Sequence, residues 1–122
     1  MNKFDVVVWK RDFCLSCVLQ KYPGLNFTEK QNKCLNAIPE IDFDRALGAV
    51  KEYVLAKNKN EMDENEINNI FKYVMPKQFY VPRSDDCLVA LMCDYRFDSE
   101  HGIAVVFADG KYKKVCTQDE VL

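Results

Sequence analysis

Apolar and polar residues change their period along this chain, and each change predicts an element. Asp5 to Trp9 (DVVVW) is β-branched and aromatic, Lys10-Arg11-Asp12 is polar, and Phe13 to Leu19 is apolar again. That pattern predicts two short strands joined by a turn. Because alternation is poor, one strand followed by an irregular segment ending at Pro23-Gly24 is the other reading. Thr28 with Gln31 three residues later fits a capping box and predicts a helix to about Ala37, with Cys34, Leu35 and Ile38 as its apolar edge. Pro39 then interrupts it for want of an N–H donor.

From Pro39 to about Lys57 the apolar residues Phe43, Leu47, Val50 and Val54 fall at helical spacing, one stripe of an amphipathic helix. Gly48 weakens this helix and would let another element approach at that turn. Lys57 to Glu66 is almost wholly polar and reads as a solvated connection. Asp63 with Glu66 fits a second capping box, Ile67, Ile70, Phe71 and Val74 follow at helical spacing, and Pro76 is expected to end that third helix.

Beyond Pro76 the period becomes extended. Gln78–Val81, Cys87–Phe97, Ile103–Phe107 and Tyr112–Cys116 are strand-like runs. Short turns separate them, at Pro82 to Asp86, Asp98 to Gly102 and Ala108 to Lys111, so consecutive strands should be antiparallel neighbours. Asp109-Gly110 is the firmest of these, because both central residues of a type I′ turn need positive φ. Helices grouped ahead of strands predict an α+β domain. Its plan is two to three helices packed on an antiparallel β-meander of about four strands, with an N-terminal strand or hairpin. No repeat or linker divides the chain, so residues 1–122 are expected to form one domain.

Composition adds mainly exclusions. A chain of 122 residues, 48% hydrophobic and 30% charged, is globular in character and large enough for one core. A formal net charge of −2 supplies no basic field for phosphate backbones, so nucleic acid is not an expected partner. The first ten residues carry too short an apolar run for a secretory signal, and no window approaches a membrane span. A cytoplasmic location without a membrane partner follows as the expectation. Six cysteines in such a compartment are expected to remain thiols.

Two constellations could carry chemistry. Cys14-Leu15-Ser16-Cys17 has the spacing of a zinc or redox pair, or is simply two packed cysteines. No second close cysteine pair exists to complete a metal site, and no metal or other cofactor is expected. His101, the sole histidine, is flanked by Asp98 and Glu100, with Asp94 nearby in sequence; a carboxylate could orient its ring for binding or for acid/base work, or the segment is an ordinary turn. Asp94, Asp98, Glu100 and His101 are therefore the candidate binding residues, and no residue is assigned a catalytic role. Further acids on the turns (Asp85, Asp86, Asp109, Asp119, Glu120) would either be solvated or form a face for a basic partner. Phe79, Tyr80, Tyr95, Phe97, Phe107 and Tyr112 concentrate aromatic area in the sheet, for a core or for an exposed patch.

Three segments carry a resemblance: PKQFYVPR (Pro76 to Arg83), ALMCDYRFDSEHGIAVVFADGKYKKV (Ala90 to Val115) and TQDEVL (Thr117 to Leu122). Through them the chain resembles a family of small uncharacterised bacterial α+β domains, some of them presumed immunity proteins of toxin systems. The resemblance brings no catalytic residues, and the Cys14–Cys17 segment lies outside it. With no catalytic signature in the sequence, the expectation is a noncatalytic protein-binding domain, and the resemblance makes an immunity-type protein that neutralises a partner such as a toxin its specific form. The alternatives are a small enzyme or metal-binding protein using His101 with its carboxylates or Cys14 with Cys17, and a module that homodimerises through exposed sheet edges.

Overall fold

A computed structural model of the chain describes residues 2–20, 29–61, 64–82 and 87–121. Strands β1 (Asn2–Val8) and β2 (Arg11–Leu19) form a hairpin in which Val8 pairs with Arg11. The two-residue turn between them has φ of 53° at Trp9 and 70° at Lys10. Neither is glycine, so two residues hold a conformation that L side chains disfavour. Trp9 offsets this with its side chain, which is buried and donates from Nε1–H to the Phe43 carbonyl at 3.1 Å.

Helix α1 (Glu29–Ala37) runs into a 3₁₀ turn at Ile38–Glu40, where Pro39 sits as expected. Cys34 and Ile38 are buried and Leu35 half-buried, so the predicted edge faces the core. Gln31 is buried too, and its amide donates to the carbonyls of Gln20 at 2.7 Å and Val81 at 3.3 Å. It thereby joins α1 to the ends of two strands. The Thr28 half of the predicted capping box, Pro23-Gly24, Asp63 and the turn residues 83–86 lie outside the described residues.

Helix α2 (Asp44–Asn58) begins where the Asp42 carboxylate accepts the Asp44 N–H at 3.2 Å. Its stripe buries Ala46, Val50 and Val54, with Phe43 just before the first turn. Gly48 is exposed and a Cβ there would meet nothing within 4 Å, so it accommodates no close neighbour, contrary to the expectation. Among the described residues the third predicted helix is also absent. Its residues form 3₁₀ turns at Glu64–Glu66 and Ile70–Lys72, and strand β3 (Val74–Val81) starts before Pro76. Two asparagines, Asn68 and Asn69, weaken the helix, and Val74 and Met75 gain partners in the next strand. Pro76 is tolerated because β2 pairs only with Gln78–Val81, leaving that edge of β3 open, and because the register slips between Pro76 and Gln78.

Strands β4 (Leu88–Tyr95), β5 (Ile103–Ala108) and β6 (Lys111–Cys116) complete the meander. The sheet has six strands in sequence order; every pair is antiparallel except β2 with β3. Among the described residues the architecture is thus α+β, two helices on a six-stranded, mostly antiparallel sheet that includes the N-terminal hairpin. Asp109 (φ 52°) and Gly110 (φ 81°) make the predicted tight turn between β5 and β6.

The strands alternate between two apolar faces. One carries the main core, in which Phe43 meets Phe79 at 5.7 Å and Phe107 at 5.4 Å between ring centres. Tyr95 and Phe97 pack at its far end, where Phe97 stacks on Tyr73. The other face carries a smaller cluster of Tyr80, Ala90, Met92, Ala104, Val106 and Cys116, against which Val121 packs. Of the predicted sheet aromatics, only Tyr112 is substantially exposed.

The expectation of free thiols fails at one pair. Cys34, on the buried side of α1, and Cys87, just before β4, form a disulfide with Cα atoms 5.4 Å apart. That separation suits the bond, but the two lie 53 residues apart in sequence. Only tertiary packing brings them together.

Candidate functional site

The candidate site is built where the β4–β5 turn meets the C-terminal segment. Past β4 the chain folds through Asp98, whose backbone carbonyl accepts the Gly102 N–H at 2.9 Å. Inside this turn Asp98 Oδ1 accepts the His101 backbone N–H at 3.1 Å, and both Asp98 oxygens lie near His101 Nδ1, at 3.0 and 3.1 Å. The other ring nitrogen, Nε2, faces Asp119 at 3.7 Å. A carboxylate therefore stands on each side of the imidazole.

Gly102 holds the crossing open. Its φ is +62°, and a Cβ there would fall 2.5 Å from Gln118 Nε2 and 2.8 Å from the Cys93 carbonyl oxygen. The Gln118 side chain occupies that space to donate to Cys93 O at 3.0 Å, while its backbone N–H donates to His101 O at 3.1 Å. Thr117 to Val121 is thereby fastened under the turn, with a 3₁₀ turn at Gln118–Glu120 that presents Asp119 and Glu120 outward.

Electrostatics follow from this geometry. Asp98 is held below the ordinary carboxylate range, first by the His101 backbone N–H and then by its ring. His101 is pushed up, first by its side-chain hydrogen bond to Asp98 and then by that carboxylate's charge, with Asp119 adding to the effect. These two shifts are one interaction seen from each partner. With carboxylates facing both nitrogens the ring favours its doubly protonated, cationic form, a donor on both sides. A general base needs a free lone pair, so the arrangement suits a tie between segments better than proton abstraction.

The other candidate residues are placed differently. Asp94 points outward on β4 and pairs with Lys77 at 3.6 Å. Glu100 is exposed in the turn. Cys14 and Cys17 sit an odd number of residues apart on β2, so they project from opposite faces; Cys14 is exposed and Cys17 buried. They cannot share a zinc ion or close a disulfide. Burial pushes the Cys17 thiol up to about 12 and raises Cys93 and Cys116 as well, which removes their thiolate reactivity near neutral pH. Among the described residues no group of three or more His, Cys, Asp or Glu side chains is placed to hold a metal ion. Nor, among them, is any helix long and apolar enough to cross a membrane.

Sequence reasoning missed Gln118 and the pairing role of Asp119. A signal was present, since the Asp98 to Gly102 turn and the Thr117 to Leu122 ending both fall in segments that carry the resemblance, and the structure brings the first against residues 117–121 of the second. A family model described as a domain of unknown function, DUF6985, matches residues 3–122. The chain belongs to the DUF6985 family. The DUF6985 match spans the N-terminal hairpin as well as the meander, so the Cys14–Cys17 segment lies inside the family region and not outside it. No curated protein and no solved structure matches the chain.

Proposed function

We propose that this DUF6985 domain is a noncatalytic protein-binding domain, acting in the cytoplasm without a cofactor. In this reading it docks a basic protein partner through the β4–β5 turn and the C-terminal segment. The carrying observation is the convergence of carboxylates from two distant segments: half-buried Asp98 and exposed Glu100 from the turn, exposed Asp119 and Glu120 from the ending. The Asp119 side chain is 66% exposed. Lys114 offsets Glu120 at 3.5 Å, and His101 is shared by two acids, so the excess stays negative.

Opposite charge on a partner would speed encounter and select against wrong partners. The turn is also held in shape before binding, which limits the ordering cost of association. An immunity-type protein that neutralises a cognate toxin is the specific form of this reading that the resemblance supports.

The test is co-expression with proteins encoded beside it. Protection from the toxicity of one of them, together with binding of the purified pair by calorimetry, is the expected result. The combined variant Glu100→Gln, Asp119→Asn and Glu120→Gln should weaken that binding at least about tenfold. A chain that neither binds nor protects against any neighbouring product overturns the reading.

A further inference from the structure

We propose that the open edge of β1 pairs antiparallel with β1 of a second copy, in the register that sets Lys3 opposite Asp5 of the partner subunit. The proposal is independent of the acidic docking end and rests on the other end of the sheet.

Among the described residues the sheet has two edges, β1 and β6. β6 carries Lys111, Lys113 and Lys114, all exposed, so two copies meeting there would oppose like charges. β1 lacks that protection. Its outward side chains are Lys3, Asp5 and Val7, one of each sign and an exposed aliphatic.

Backbone geometry then restricts the registers. A two-residue loop closes on a hydrogen-bonded pair, here Val8 with Arg11, and hydrogen-bonded pairs recur at every second residue. Phe4, Val6 and Val8 therefore commit their backbone groups to β2, and Lys3, Asp5 and Val7 aim theirs at the open edge. A two-fold pairing has to match these odd-numbered residues with one another.

Charge chooses among the matches, and a pair centred on Val6 gains nothing from it, because Asp5 would face the partner's aliphatic Val7 and Lys3 would face no acid of β1. Centring the pair on Asp5 sets two carboxylates face to face, and centring it on Lys3 sets two ammonium groups face to face. Centring it on Phe4 places Lys3 opposite the partner's Asp5 twice, once on each side of the axis. At the centre Phe4 meets the partner's Phe4 as a non-hydrogen-bonded pair, the closest approach of side chains in an antiparallel ladder. Phe4 is half-buried and packs edge-on against Phe79 at 6.4 Å, so this contact would extend the main core across the axis. The product is one continuous sheet through both copies, an isologous dimer.

Light scattering over a concentration series on the whole chain tests the register. The wild type should reach twice the monomer mass. Asp5→Lys alone and Lys3→Asp alone should each weaken self-association by about tenfold or more. Mixing the two variants, or combining both substitutions in one chain, should restore the dimer, because opposite charges again face each other. Both side chains are exposed, so unchanged circular dichroism is expected and serves as the folding control. A wild type that stays monomeric throughout overturns the proposal. So do single variants that dimerise as well as the wild type, or a mixture that stays monomeric.

Discussion

The Trp9 indole N–H donates to the carbonyl of Phe43 at 3.1 Å, fastening the first turn of the sheet to the residue that precedes α2. The same carbonyl also accepts the Ala46 N–H at 3.1 Å, so losing the indole would not leave it orphaned. Trp9→Phe is therefore expected to cost about 1–2 kcal/mol, from one hydrogen bond and part of the buried ring. Lys10→Gly should act in the opposite sense. It relieves a positive φ at an exposed side chain and should stabilise by about 0.5–1 kcal/mol. Urea unfolding of both variants checks the pair of signs.

Gly102→Ala is expected to be among the most damaging single-methyl additions. It combines a left-handed backbone with a Cβ driven against Gln118 and the Cys93 carbonyl. A loss of about 2 kcal/mol or more should appear as a lower urea midpoint. Gln118→Ala in the same background should recover part of it, since it clears the nearest obstructing atoms. Without that recovery the assignment of Gln118 as the blocking group fails.

Stability should depend on pH through His101 and Asp98. The raised histidine contributes fully below about pH 6.5, its ordinary value, and loses its contribution as pH rises through the raised value. The lowered Asp98 contributes above about pH 4 and loses it as pH falls through its depressed value. Their tie is strongest between those limits. His101 is the sole histidine, so its ring proton resonance gives one clean titration. A midpoint above about 6.5 that drops in Asp98→Asn is expected; a midpoint at or below that value contradicts the geometry.

The Cys34–Cys87 bond should be countable. Denatured, unreduced protein should show four free thiols, and the reduced protein six. Reduction should cost about 2–4 kcal/mol, mainly through the larger freedom of the unfolded chain. A reducing cytosol would hold the pair as thiols. Alkylation at the moment of lysis therefore reports which state the cell maintains.

Legibility followed the range of the forces involved. The Asp109-Gly110 turn, the stripe of α2 and the apolar run of β5 are local and could be read directly. Val74 and Pro76 were misread because helical spacing of Ile67, Ile70 and Val74 is equally served by a buried turn leading into a strand. What decided between them was the ladder with β4, in which Val74 pairs with Tyr95 and Pro76 with Cys93. Asp98 and His101 were legible as neighbours, while Asp119 and Gln118 required the C-terminal segment to fold back. The Cys34–Cys87 pairing and the opposed directions of Cys14 and Cys17 likewise came from tertiary arrangement and strand parity, which spacing alone does not encode.

The one parallel seam, where Ser16 to Leu19 runs beside Gln78 to Val81, closes a long loop instead of zipping from a turn. The hairpin and the meander each form from contacts near in sequence, but the seam must wait until the helical segment has brought its two ends together, an entropic cost that the local ladders escape. It should be the last joint made in folding. By the same logic it should be the first to part, so amide hydrogens of β2 facing β3 would exchange through a partial opening. Those of β4 and β5, paired on both sides, would exchange only when the whole molecule unfolds.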